Sequence, residues 1–346
     1  MSASKSRRPA LALAALSAVA LPAPAVASAI VQVYAHRGAR AFNPENTLPA
    51  YRATLKIGAD WLDMDVVLTK DGEVLISHDP VLNPAVVRDA AGHYLAADRK
   101  AVVKEMTLKE LQTYDVGRLN PDSAYAKFFP DQHPADGTRM PLLRDVVREM
   151  NRVAPDLMGF QIEMKTDPSR PEISADPAAF ARAVYAVLKK EGIVERAEIQ
   201  AFDYRCLQEL TKLDPKVKTA YLTSRENEPG GPDDFFQSDP AKAGLWTAGR
   251  LVKDHGGSFP RLVKDMGGYA WEPEDFELTK PALDEAHRLG LKVVVWSWPE
   301  KLGAAFDPEL TARMIAWGVD GIITDDPGRL TSMLAARGLR VPRRRP

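Results

Sequence analysis

The chain has 346 residues, with 46 Lys and Arg against 47 Asp and Glu, a formal net charge of −1 and one cysteine. That balance excludes the strongly basic domain that nucleic-acid binding favours. A lone cysteine, Cys206, excludes an intrachain disulfide, so stability has to come from a buried core, and the length suffices for one large barrel or two domains.

Residues 1–29 read as an export signal. Lys5, Arg7 and Arg8 form a positive start, 10–21 is apolar, and Ala25-Val26-Ala27 or Ala27-Ser28-Ala29 supplies a small-residue cleavage site. The apolar run falls short of the about 20 residues that span a bilayer. Cleavage would remove three positive charges, leaving a net charge of about −4, and would deliver a protein without membrane insertion to the periplasm or the exterior. Arg7-Arg8 admits a twin-arginine route beside the general one.

From residue 30 onward, short β-branched or apolar runs alternate with helical periodicity, the pattern of parallel βα units. The spacing predicts strands over 31–35, 61–68, 159–164, 197–201, 217–222, 268–271, 292–298 and 321–324. It predicts helices over 48–57, 142–153, 177–191, 204–213, 241–254, 280–289, 308–317 and 328–336. Strands each followed by a helix, at this count, make an α/β chain with a (β/α)8 barrel over 30–338. No Gly-rich phosphate fingerprint follows the first strand, which argues against a doubly wound dinucleotide fold.

Asp71-Gly72 marks a turn between 65–69 and 73–77, so the second strand extends into a hairpin. The stretch from His78 to Met140 lacks strand–helix rhythm and is too long for an ordinary βα loop. It reads as a small insertion subdomain after strand two, about 83–140, over the C-terminal mouth of the barrel. Within it, Thr107 with Glu110 in the capping-box position starts a short helix over 107–114. Arg343-Arg344-Arg345 ends the chain in a basic tail, 339–346, expected to be frayed and solvated.

The chemistry-bearing residues fall at predicted strand ends, which in such a barrel face the active site. His36 and Arg37 follow the first strand, Asp63 and Asp65 lie in the second, and His78 follows its hairpin. Glu163 and Lys165 close the third barrel strand, and Trp296 and Trp298 the seventh. Two histidines can lend and take protons near neutral pH. Aspartates at i and i+2 share a strand face, and with Glu163 they offer hard oxygen ligands suited to one divalent cation, Ca²⁺ before Mg²⁺. The strand around Asp63 and Asp65 is otherwise apolar, and unpaired buried carboxylates are costly, so a cation there resolves a conflict. Arg37 reads as a phosphate clamp, and Lys165 either neutralises phosphate charge or pairs with the acids. Asp79 either orients His78 or starts a turn. The spacing of the other histidines fits no zinc-hydrolase ligand set. These parts point to metal-assisted phosphoester cleavage.

Taken together, Ala35-His36-Arg37-Gly38-Ala39, Pro44-Glu45-Asn46-Thr47-Leu48-Pro49-Ala50, Gly58-Ala59-Asp60, Asp65-Val66-Val67-Leu68-Thr69-Lys70-Asp71-Gly72, His78-Asp79, Ile162-Glu163-Met164-Lys165 and the closing Asp320-Gly321-Ile322-Ile323-Thr324-Asp325-Asp326-Pro327 resemble the glycerophosphodiester phosphodiesterase family. The resemblance implies a TIM barrel with an insertion after strand two, a divalent metal, and hydrolysis of deacylated phospholipids to sn-glycerol 3-phosphate and an alcohol. By position it implies His36 and His78 as catalytic, Arg37 as a phosphate contact, Glu45 as an acid that orients neighbours in the site, and Asp65 and Glu163 as metal ligands. Asp63 departs from the family pattern, which has Glu there. Ser297-Trp298-Pro299 departs as well, where Thr-Val-Asn is usual after the strand-seven Trp, and bears on substrate choice.

The expected mechanism is attack by the glycerol 2-hydroxyl through a cyclic phosphate, with the histidines as base and acid. Two other readings stand beside it: a lysophospholipase D or phosphatidylinositol-type phospholipase C, which would want an exposed apolar lip, and a non-catalytic glycerophosphodiester-binding protein. The expected partner is the small-molecule substrate, with no nucleic acid.

Overall fold

A computed structural model describes residues 30–157, 159–224 and 242–345. The export signal expected over 1–29 lies outside the described residues. In chain order the strands are β1 (Gln32–Ala35), β2 (Trp61–Leu68), β3 (Val74–Ile76), β4 (Gly159–Met164), β5 (Ala197–Ala201), β6 (Lys218–Thr223), β7 (Ala270–Pro273), β8 (Lys292–Val295) and β9 (Gly321–Thr324). The helices are α1 (Leu48–Ile57), α2 (Leu108–Leu111), α3 (Leu143–Val153), α4 (Pro177–Lys190), α5 (Tyr204–Leu213), α6 (Phe259–Asp265), α7 (Lys280–Arg288), α8 (Pro299–Leu302), α9 (Pro308–Trp317) and α10 (Pro327–Ala336).

All strands but β3 run parallel in the order β1-β2-β4-β5-β6-β7-β8-β9, and β9 pairs back to β1, closing a (β/α)8 barrel. Both faces of β2 and β4 are buried, so the residues between Asp63, Asp65, Gln161 and Glu163 are apolar. Antiparallel β3 joins β2 through Val66–Ile76, Val67–Leu75 and Leu68–Val74, the predicted hairpin. Helix starts follow local chemistry: Thr47, Asp176, Ser258, Thr279, Asp307 and Asp326 each accept a backbone N–H of the following turn, with Pro in the first turn.

Residues 77–142 pack around their own apolar cluster, which includes Leu82, Val87, Leu95, Val103, Leu111 and Val116, and rests on the β2–β3 hairpin through Val67 and Leu75. The capping box of Thr107 and Glu110 is present at α2, which ends after a single turn.

Three expectations are corrected. A helix over 241–254 does not form. Ala241 lies outside the described residues, and Gly244, Ala248 and Gly249 adopt positive φ, which breaks the helical path. The helix between β6 and β7 is instead α6, started by Ser258. The predicted strand 292–298 stops at Val295, so Trp296 and Trp298 lie beyond it, with Trp298 opening α8. The basic tail is not frayed. Arg340 binds both oxygens of Asp60 at 3.0 and 2.7 Å, Arg343 and Arg345 reach Asp156 at 2.9 Å, and the Arg345 backbone N–H donates to Leu55. Among the described residues no other cation pairs with buried Asp60, and a buried carboxylate left alone is costly, which is why a late arginine is drawn there.

Candidate active site

The C-terminal mouth of the barrel holds a cavity of about 450 Å³. His36, Arg37, Asp63, His78, Glu163, Lys165, Trp296 and Trp298 all border it. The two remaining predicted residues do not. Asp65 lies beneath Arg37, and Glu45 sits behind it, facing a small adjoining pocket.

A tight turn after β1 aims the first pair. Arg37 (φ 50°), Gly38 (φ 83°) and Ala39 (φ 61°) all take left-handed backbone. A side chain at position 38 would bring its Cβ within 2.7 Å of the Cβ of Ala50, so glycine there lets α1 close against the turn. The Arg37 guanidinium donates from Nη1 to Glu45 Oε1 (3.0 Å), and its Nε lies 3.2 Å from both His36 Nε2 and Asp65 Oδ2.

Both histidines are backed by aspartates. His36 Nδ1 is 2.7 Å from Asp325 Oδ1, and His78 Nδ1 is 2.9 Å from Asp79 Oδ1. Asp79 therefore orients His78, and Asn83 holds its other oxygen at 2.9 Å. Burial and the nearby Arg40 push the His36 imidazole down to about 4, against the pull of Asp325, so it is neutral at physiological pH. Burial alone would raise Asp79, but His78, with Asn83 and Arg37, outweighs it and holds the carboxyl at about 2.

Behind these groups stands a network that sequence reasoning missed. Asp325, just past β9, also accepts Arg40 Nε (2.7 Å) and Nη2 (3.0 Å). Tyr125, from the insertion, accepts Arg40 Nη1 at 2.7 Å and donates to Glu45 Oε2. Asn46 donates to Asp65 Oδ2 at 2.8 Å. Asp325 and Asn46 stand inside the motifs that carry the family resemblance, which was the available signal; nothing in the sequence marks Tyr125.

The acids come from adjacent strands. Asp65 and Glu163 are register partners across β2 and β4, and Asp63 pairs with Gln161 one step below. Asp63 accepts the Arg37 backbone N–H (3.2 Å) and Gln200 Nε2 (2.6 Å), while Glu163 accepts Lys165 Nζ (2.7 Å). Among the described residues no three His, Cys, Asp or Glu side chains form a ready-made ion cage; protein donors occupy the carboxylates. The charge balance is nonetheless uncomfortable. Burial, then Asp65, pushes Asp63 well above the ordinary carboxylate range; burial raises Glu163 despite Lys165. Asp65 stays below it, because Arg37, His78, Lys165 and His36 together outweigh burial. Glu272 Oε2, Gln161 Oε1 and Gln200 Oε1 are buried nearby and have no hydrogen-bond partner among the described residues. Excess buried oxygen donors of this hardness fit a divalent cation chemically.

The model of the glycerophosphoryl diester phosphodiesterase family matches residues 36–329, from the first histidine to α10. The chain belongs to that family. A solved structure assigned to the same family, from Silicibacter pomeroyi DSS-3, is 32% identical, with a TM-score of 0.76 over 90% of this chain and 96% of that one. A glycerophosphodiester phosphodiesterase from Caldanaerobacter subterraneus subsp. tengcongensis is 26% identical over 306 residues, 88% of this chain and 98% of its own. An Oleispira antarctica phosphodiesterase, solved with the product sn-glycerol-3-phosphate, shares the fold at 19% identity and a TM-score of 0.61, over 88% of this chain and 97% of its own.

Proposed function

We propose that this cavity hydrolyses glycerophosphodiesters to sn-glycerol 3-phosphate and an alcohol, with His36 and His78 as the proton-transfer pair. As a family member the chain is a glycerophosphodiester phosphodiesterase; the residues and the path are what the proposal adds. The observation that carries it is that both imidazoles border one cavity while each has its Nδ1 engaged by an aspartate, so Nε2 is the nitrogen for proton exchange, on His36 in place of its 3.2 Å contact with Arg37 Nε. A pure binding protein has no use for such a pair.

His36, neutral and holding its Nε2 lone pair toward Arg37, suits the base that takes the proton of the glycerol 2-hydroxyl. That oxygen attacks phosphorus and closes a cyclic phosphate. His78, whose ring faces the anion of Asp79, suits the acid that gives its proton to the departing alcohol oxygen. The roles reverse when water opens the ring. Each proton transfer contributes about 10²–10⁴-fold. Arg37 and Lys165 line the same wall and draw charge from the phosphate oxygens.

Asp63, Asp65 and Glu163 would hold a divalent cation, Ca²⁺ before Mg²⁺, and its chemistry there is to neutralise non-bridging phosphate oxygens. The burdened acids support this. Asp63, a methylene shorter than the family's Glu, is the residue expected to tune affinity and metal preference. The test is release of glycerol 3-phosphate from glycerophosphocholine with and without EDTA. Prompt, chelator-sensitive release supports the proposal, and no release overturns it.

A second reading has its own observation. Val81, Pro84 and Ala97 of the insertion join Ile173 and Trp298 on the cavity wall, an apolar lip assembled from residues scattered in sequence. That lip suits the chain of a monoacyl glycerophosphodiester, and release from lysophosphatidylcholine alone would favour it. Among the described residues no helix is long and apolar enough to cross a membrane. The proposal also holds that residues 1–29 direct export; N-terminal sequencing of exported protein tests that.

A further inference from the structure

The insertion does more than wall the cavity: it grips the turn that carries His36 and Arg37. Tyr125 places its phenol oxygen between two groups of that turn, accepting Arg40 Nη1 at 2.7 Å and donating to Glu45 Oε2. Its ring packs edge-on against Phe129 at 5.1 Å, and Phe129 lies under the Arg40 guanidinium at 4.7 Å. Two further bonds fix the backbone of the same turn: Gln132 Nε2 donates to the Arg40 carbonyl at 2.9 Å, and the His133 N–H donates to the Phe42 carbonyl at 2.9 Å. One insertion segment, 125–133, therefore holds Arg40 by its side chain and its main chain.

The two partners of the phenol lead to different parts of the reaction. Glu45 uses its other oxygen, Oε1, on Arg37 Nη1. Arg40 uses its other nitrogens on Asp325, which holds His36. We propose that Tyr125 is a positioning residue that couples the insertion to the phosphate clamp through Glu45 and to the proton acceptor through Arg40. By occupying Glu45 Oε2, the phenol limits Glu45 to a single-oxygen grip on Arg37 Nη1; with Nε already set against Asp65 and His36, this keeps Nη2 for an anion. By accepting from Nη1, it keeps Arg40 square on Asp325, and so keeps Asp325 on Nδ1 of His36. A hydrogen bond to a charged group in such surroundings is worth enough that its loss is felt.

The proposal rests on the catalytic reading above for its kinetic arm only. The full chain carrying Tyr125→Phe keeps the ring on Phe129 and removes the hydroxyl alone. Freed of its donor, Glu45 takes Arg37 with both oxygens, so the expected result is a Kd for sn-glycerol 3-phosphate raised about tenfold, by calorimetry. With glycerophosphocholine, KM rises by a similar factor and kcat falls about tenfold. The Glu45→Gln background removes the competing carboxylate, so there Tyr125→Phe leaves Kd and KM unchanged while kcat still falls. A merely structural tyrosine would lower the thermal midpoint in both backgrounds and move neither Kd nor the KM-against-kcat split; that result overturns the proposal. Additive effects of the two substitutions on Kd overturn it as well. Absence of turnover by the unsubstituted chain would sink the catalytic reading, while the calorimetric arm still decides the role of Tyr125.

Discussion

Asp325 Oδ1 lies 2.7 Å from Nδ1 of His36, tying the end of the last barrel strand to the turn after the first. The contact fixes the imidazole tautomer: with Nδ1–H donating to the carboxylate, Nε2 keeps its lone pair. Burial would raise Asp325, but the Arg40 guanidinium and His36 outweigh it and hold the carboxyl below the ordinary range. The carboxylate is thus charged wherever the enzyme is folded at ordinary pH.

Asp325→Asn should therefore uncouple geometry from chemistry. The amide can still meet Arg40 poorly but favours the wrong tautomer of His36, and kcat should fall by about 10²–10⁴-fold. His36→Ala and His78→Ala should lose comparable factors. Steady-state kinetics beside far-UV circular dichroism checks this: a folded variant with undiminished kcat would remove that residue from the acid–base scheme.

Cation binding should be visible without any substrate. Ca²⁺ at 100 times its Kd should stabilise the protein by about 2.7 kcal/mol, seen as a higher thermal midpoint. Glu163→Gln should abolish the shift, and Asp63→Glu should strengthen it. A midpoint indifferent to Ca²⁺ and Mg²⁺ would mean that Lys165 and Gln200 are the permanent partners of these acids.

Acid sensitivity follows from His36. Its folded value is about 4 against about 6.5 in an unfolded chain, so the unfolded state binds the proton more readily in between. Stability is then unaffected above pH 6.5 and falls as pH drops from 6.5 toward 4. Asp79, at about 2 when folded, contributes stability that is present above about 3.9 and is lost as pH falls toward 2. Urea midpoints measured across pH 4–7 should slope less in His36→Asn than in the unsubstituted chain. Equal slopes would discount the buried neutral imidazole.

The C-terminal arginines should differ in worth. Arg340 pairs with Asp60, which is buried, whereas Arg343 meets Asp156, which is 46% exposed in its side chain. Leaving a buried carboxylate without its cation costs several kcal/mol, while an exposed pair is worth about 0–1 kcal/mol. Arg340→Ala should lower the urea midpoint clearly and Arg343→Ala barely. The reverse order would show that the tail only rests on the barrel.

Much of the site was legible because βα barrels put strand ends at the mouth, so short motifs report on one place. His36-Arg37, the Asp63/Asp65 pair, His78 and Glu163 each follow from a strand end and a period of two. The pairing of His36 with Asp325 spans 289 positions, and that of Gln200 with Asp63 spans 137; no local pattern encodes either. Tyr125 is harder still, because the insertion carries no strand–helix rhythm from which its direction could be read. Helix α6 was missed for a different reason: the apolar spacing of 241–254 outweighed the quieter Ser258-Phe259-Pro260 start signal.

By itself, the sequence determined the repeating βα order, the barrel, the hairpin on β2 and the chemical types gathered at the strand ends. Those features depend on periodicity and on neighbours a few residues apart, which a linear reading contains. The tertiary structure alone decided which carboxylate backs which imidazole, that Arg37 and Lys165 already lie against the acids, that the insertion reaches Arg40, and that the basic tail is a strap. His36–Asp325, Arg37–Asp65, Tyr125–Arg40 and Arg340–Asp60 join distant segments and match buried charges once the barrel has closed, whereas His78–Asp79 and Lys165–Glu163 are local pairs that decide between alternatives the sequence left open.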